Sequence, residues 1–408
     1  MSKAATIHLE DVQVEVKPGS RLAFLPVVGG GVGALCLLIS ISIAWTGMGQ
    51  LSQFFFGYLV AYAYFLSIAL GGLFFVLIHF AAKAGWSVTV RRIAENFMGT
   101  LPVFALLFIP VLIGLHYTHE HWWSIEPGVD ELLDHKRAYL NHTFFVIRAV
   151  VFLGLWSFLA WRLRGLSVAQ DQSGDPELTR KLQWWAPPGI AIFAVTLTLA
   201  AIDWLKSIDP HWFSTMWGVY YFAGSVLAVH AALIVFVNLL QREGLLRGVI
   251  NEEHFHDLGK MLFGFVVFWT YIAFSQYFLI WYANIPEETL WYQHRTHGSW
   301  LTIGQLLMVG HFFIPFFFLL PRGIKRRRAT LLIAALWLLM MHYVDLYWMV
   351  MPVLHPEGVD PIGLIVDLLA FFGVGCLFVA AFGYLAKKQA VLAIRDPRLA
   401  ESLAFENV

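Results

Sequence analysis

Arg148, Asp203, His342, Asp345 and Asp367 each lie within, or at the end of, an otherwise apolar stretch of the chain. An ionisable side chain in hydrocarbon costs at least a few kcal/mol and usually lines a path or a site. His342 and Asp345 are three residues apart and so share one helix face. An imidazole beside a carboxyl can pass a proton. Asp345 lies too far from its helix end to reach water easily, which favours a proton relay. Arg148 has the plainer reading of a buried ion pair with one of the aspartates. Asp203 and Asp367 have that of outer-end residues touching water.

A second group lies deeper or toward the other side. His79, His230 and Lys260 fall near the opposite ends of their stretches, and His311 falls near the middle of its own. Tyr271, Ser275, Gln276 and Tyr277 follow one stretch, and Tyr343 and Tyr347 another. A lone buried histidine is ordinarily a packing residue. Together, however, these groups predict two half-channels bridged by His311 or His342, because polar groups in a bundle need partners or water. The proton path so read runs through Asp345, His342, Asp203, Asp367, His311, His230, Lys260 and Tyr277. Haem would need two histidines at equal depth on facing helices. Only His230 with His311, or His79 with His230, are conceivable pairs, and no haem is expected in this chain.

The elements that hold these residues follow from composition. The 408 residues are 59% hydrophobic and only 13% charged, against about 25% charged in soluble domains. The apolar excess falls into runs of roughly 20 residues, each long enough to cross a bilayer. The predicted spans are 24–46, 55–80, 97–115, 142–162, 187–205, 213–240, 258–283, 299–320, 330–352 and 362–386. This all-α polytopic class, embedded in a lipid bilayer, excludes a soluble domain, a disordered tail protein and a nucleic-acid binder. Lys plus Arg balances Asp plus Glu at 27 each, so net charge indicates no polyanionic partner.

The predicted organisation is a segment 1–23, a membrane domain 24–386 and a tail 387–408 that reads as a solvated helix end. The polar, mixed-charge start argues against a cleaved signal peptide. Most Lys and Arg fall on the side of the two termini, whereas the opposite loops hold only Lys136, Arg137, Lys206 and Arg295. By the positive-inside rule both termini are cytoplasmic. Cys36 and Cys376 sit in apolar runs with no cluster-ligand or haem-attachment spacing. Any redox chemistry must therefore be borrowed.

The outer loops are rich in histidine, tryptophan and acids, including His116, His119, His121, Trp122, Trp123 and His135. They read as an interfacial aromatic belt or as a docking floor for extrinsic partners. His119 and His121 lack a third convergent ligand for a metal, and none is expected. Helices 2–5 and 6–9 are weakly alike: each set ends on an aspartate, Asp203 or Asp345, followed by a Pro and His loop. That predicts two four-helix bundles in parallel repeat, with helices 1 and 10 flanking.

Several segments also carry a family resemblance. They are Phe54–Phe80, Asp203-Trp204-Leu205-Lys206-Ser207-Ile208-Asp209-Pro210-His211-Trp212-Phe213, Ser275-Gln276-Tyr277 through Asn284-Ile285-Pro286-Glu287-Glu288, and His342-Tyr343-Val344-Asp345. These resemble the ActF subunits of alternative complex III, a bacterial quinol:electron-acceptor oxidoreductase, within the NrfD/polysulfide-reductase membrane-anchor group. The resemblance implies a bacterial inner-membrane location and a related membrane subunit beside this one. It also implies an iron–sulfur subunit and multihaem c-type cytochromes on the outer face. Haem c and iron–sulfur clusters would then belong to those partners, and quinol would usually bind in the sister subunit. A quinone or quinol pocket in this chain would use His142, Arg148 and Asp203. The rival reading is a stand-alone proton-coupled transporter, for which Pro102, Pro110 and Pro315 supply helix breaks. A third, a structural anchor, leaves Asp345 unexplained.

Overall fold

Ten helices are long and apolar enough to cross a membrane in the computed structural model, which describes residues 12–46 and 51–407. They are α1 (Arg21–Trp45), α2 (Leu51–Ala81), α3 (Val88–Ile113), α4 (His142–Ser173) and α5 (Glu177–Lys206), followed by α6 (Trp217–Arg242), α7 (Glu252–Ala283), α8 (Gly298–Leu319), α9 (Arg328–Val353) and α10 (Gly363–Lys388). No strand occurs among the described residues. The first part of the predicted 1–23 segment lies outside them.

Helices α2–α5 pack together as one four-helix bundle and α6–α9 as a second. The bundles meet mainly where α2 crosses α6, and α1 with α10 forms a pair laid against α2. Both α2 and α6 are buried on nearly all sides. Small residues permit this, because apolar helices in lipid associate chiefly by close packing. At Gly71 of α2 a Cβ would lie 2.5 Å from the Ser225 carbonyl of α6, so only glycine lets the backbones approach there. Gly33 of α1 plays the same part against Gly373 of α10, at 2.8 Å.

Several helices run past the apolar stretches that predicted them. Asn141 caps α4, accepting from the Phe144 amide, and the left-handed Gly174 ends it. Asn251 caps α7 by accepting from the Glu253 and His254 amides. Helix α3 starts at Val88, ahead of the expected 97, because Arg91, Arg92 and Glu95 on its first turns are neutralised inside the protein. Helices α5 and α8 each contain a π-helical turn, at Ile202–Lys206 and Met308–Phe313. Pro315 lacks the amide hydrogen that would bond the turn before it. One carbonyl of that turn, Gly310, instead accepts from the Trp337 indole at 2.6 Å.

The C-terminal tail corrects the expectation of a solvated helix end. Val391 and Leu392 are buried, and the Val391 amide donates to the Val14 carbonyl at 2.8 Å. Both ends of the described chain thus lie at one end of the bundle.

Candidate functional site

Asp345 sits on α9 with 1% of its surface exposed. Its carboxylate accepts from the Tyr220 hydroxyl of α6 at 2.6 Å and from the Trp269 indole of α7 at 3.0 Å. No cation pairs with it among the described residues. A carboxyl held by neutral donors can gain or lose a proton without breaking an ion pair. The His311 ring packs on Trp269, centroids 3.8 Å apart, and neither His311 nitrogen has a hydrogen-bond partner among the described residues. The π-helical turn in α8 is what carries His311 at this level; such turns recur at functional sites. His342, one turn back from Asp345, contacts the Ser67 hydroxyl of α2 through Nε2 at 2.9 Å, while its Nδ1 has no partner among the described residues. Asp345, His311 and His342 therefore gather at the junction of α2, α6, α7, α8 and α9.

Asp367 on α10 forms a separate cluster, also without a cation among the described residues. The Gln53 amide of α2 donates to both carboxylate oxygens at 2.7 and 2.8 Å, and the Tyr347 hydroxyl donates at 3.0 Å. His355 donates from Nε2 to the Gln53 carbonyl oxygen at 2.5 Å. His355 lies in the partly exposed loop between α9 and α10. A hydrogen-bonded chain thus joins a buried acid to one end of the bundle. Burial lowers the His355 pKa, opposed by Asp360. Gln53 and His355 were not among the predicted site residues. A glutamine opening an apolar run was the available signal.

Asp203 is different. It is fully buried in the π-helical turn of α5, and Arg148 of α4 grips it through Nε at 2.6 Å and Nη2 at 3.1 Å. The guanidinium also donates to the Tyr139 carbonyl at 2.8 Å and lies over the Tyr139 ring, 3.8 Å from its centroid. His142, grouped with this pair from sequence, does not join it. It is exposed, stacks on Trp123 with centroids 3.6 Å apart, and donates to the Trp123 carbonyl at 2.8 Å. The predicted quinone pocket is a sealed ion pair beside a surface histidine, and these residues do not fit a quinone ring.

The remaining predicted residues are dispersed. His79 and His230 each bond through Nδ1 to the carbonyl four residues back, at 2.7 Å in both cases. Phe75 occupies the space between them, its ring 3.9 Å from His79 and 5.6 Å from His230, so no haem fits there. Lys260 is half exposed at the chain-terminal end, bonded to Asp257 and to Asn407. It lies apart from the Asp345 cluster. Tyr277 is on the outer flank of α7, its ring packed on Tyr292. His119 is buried and His121 exposed, so the two do not face a common point. No group of three or more His, Cys, Asp or Glu placed to hold a metal occurs among the described residues.

Neither the protein-family models nor the curated proteins compared with this chain match it.

Sequence reasoning also missed a charged cluster at the chain-terminal end. Arg92 pairs with Glu95 at 2.7 Å and with Asp171 of α4 at 2.8 Å, and Arg91 pairs with Asp396 of the tail at 2.5 Å. The Ser167 hydroxyl donates to Glu95 at 2.9 Å. Arg91, Arg92 and Glu95 lie ahead of the predicted span 97–115, although their spacings of three and four already suit one helical turn. The cluster staples α3, α4 and the tail together.

Proposed function

We propose that this chain is an integral membrane subunit of a bacterial respiratory quinol:electron-acceptor oxidoreductase complex, passing electrons toward cytochrome c or a terminal oxidase. It handles protons and supplies structure rather than holding a redox centre. The observation that carries this reading is the pair of buried, cation-free carboxyls, Asp345 and Asp367. Each is held by neutral donors from two neighbouring helices, and one is linked through Gln53 to His355 at an end of the bundle. Oxidation of a quinol releases two electrons and two protons. The electrons pass to iron–sulfur clusters and c-type haems of partner subunits, and the protons need acceptors with a way out. Buried histidine and tyrosine atoms without protein partners, at His311, His342 and Tyr343, support water at this level.

Quinol itself binds in the related sister subunit on this reading, which agrees with the closed state of Arg148 and Asp203. Both termini face the cytoplasm. The Trp- and His-rich loops at the other end receive the iron–sulfur and cytochrome subunits. Continuous α2, α6 and α7 weigh against the stand-alone transporter, whose substrate site would need broken helices facing one another.

The test is co-purification. The chain is tagged at its C-terminus, extracted from native membranes in mild detergent, and its companions identified. Recovery of c-haem and iron–sulfur subunits with quinol-oxidising activity is expected. A colourless chain without those companions overturns the proposal.

A further inference from the structure

Beside the Asp345 cluster, an apolar cavity of about 710 Å³ opens between α7 and α8. Its walls are mainly apolar and aromatic, and Tyr271, Phe274, Met308 and Phe313 along it are exposed on the lipid-facing side. Along α8 it reaches from Leu301 to Phe313, a rise of roughly 18 Å at 1.5 Å per residue. That matches one leaflet of a hydrocarbon core about 30 Å thick.

At the loop end of the cavity stands Arg295. Its side chain is 3% exposed and forms no ion pair among the described residues. Three guanidinium hydrogens go to the Trp291, Met349 and Trp348 carbonyls at 2.8, 2.9 and 3.1 Å, and the group lies 3.5 Å from the Trp291 ring centroid. An arginine has five donors, so two remain. Carbonyls and a ring carry no net charge, and a buried guanidinium without a counter-charge is costly. Burial lowers the Arg295 pKa to about 9, with the fields of Asp209, Tyr292 and Tyr220 opposing. A neutral occupant would leave this charge uncompensated.

We infer that the α7–α8 cavity is a binding site for one anionic phospholipid, its phosphate held by the free donors of Arg295 and one acyl chain laid along α8. Charge complementarity selects the head, and cavity length selects the chain. Planar guanidinium matches phosphate in two-bond geometry. The site is independent of the proposed redox role, because it requires only this chain and a bilayer. It places a fixed lipid against Tyr220 and Trp269, the two donors to Asp345, and so excludes bulk lipid motion from that wall.

The experiment is native mass spectrometry of the delipidated full chain, titrated with phosphatidylglycerol and, separately, phosphatidylcholine of the same acyl chains. One phosphatidylglycerol is expected to bind with roughly tenfold preference, the scale of one hydrogen-bonded charge contact. Arg295→Gln should abolish the preference. Because Arg295 also ties down three carbonyls, a second variant separates binding from folding. Gly304→Leu pushes a side chain into the cavity, where a Cβ meets nothing closer than Trp348 at 3.6 Å. It should lose the lipid with an unchanged melting temperature. Equal binding of the two lipids, or a preference that survives both variants, overturns the proposal. So does recovery from native membranes of a quinone, or of another protein's helix, in the cavity. The lipid titrations and both variants leave quinol oxidation by the purified complex unaddressed, and only a quinone in the cavity would count against both proposals, so the two otherwise fail separately.

Discussion

The Tyr220 hydroxyl and the Asp345 carboxylate, 125 residues apart in sequence, stand 2.6 Å apart at the centre of the second bundle. Their bond brings α6 and α9 together, and Trp269 adds α7 at 3.0 Å. Three helices thus converge on one acid that no cation among the described residues neutralises, an arrangement that Asp203 lacks because Arg148 holds it. The parallel between these two aspartates in the repeat is therefore one of position and not of chemistry.

Asp345→Asn can still accept from the Trp269 indole and donate its amide to the Tyr220 oxygen, but it cannot exchange a proton. On the proposed function, quinol oxidation by the purified complex should fall by about a hundredfold, the low end for loss of a positioned acid–base group. The melting temperature should move little. Tyr220→Phe should cost less, since Trp269 still holds the acid. Unchanged turnover and proton release in Asp345→Asn would remove this residue from the path.

Arg148→Gln leaves Asp203 buried without its cation. Breaking one side of such a pair costs about 3–5 kcal/mol, read as a lower melting temperature in detergent. Asp203→Asn should cost similarly. The double variant Arg148→Met with Asp203→Leu should regain most of the loss, because removing both charges removes the desolvation cost as well. A double variant as unstable as the singles would mean that the pair organises the π-helical turn by shape and not by charge.

His119, in the loop after α3, is fully buried against Trp122 and Phe145. Burial lowers its pKa from 6.5 to about 3, opposed in part by the backbone at Asp203 and Trp204. It stays neutral in the fold, while the unfolded chain takes up a proton below 6.5. Its contribution is therefore complete above 6.5 and is lost as pH falls toward 3, at about 1.4 kcal/mol per pH unit. Between pH 7 and 5 the melting temperature should fall more steeply in the wild type than in His119→Gln. Parallel slopes would show that this histidine is not responsible for the acid sensitivity.

The ten apolar runs and the polar residues inside them were legible in the sequence, because hydrocarbon permits a span only where roughly 20 residues are apolar. Any acid that survives there stands out. That reasoning found Asp345, Asp367, Asp203 and Arg148, and it foresaw that an aspartate would pair with Arg148. Which aspartate, and which donors serve the other two, depended on helix packing. Tyr220 and Trp269 lie on different helices from Asp345, and no local period links residues so far apart. The same reason hid the Arg91–Asp396 bond and the Gln53–His355 link, each spanning about 300 residues. The predicted span began only at 97, past the charges at the start of α3, because charge opposes burial. Only the tertiary structure supplied Asp171, Ser167 and Asp396 to neutralise them.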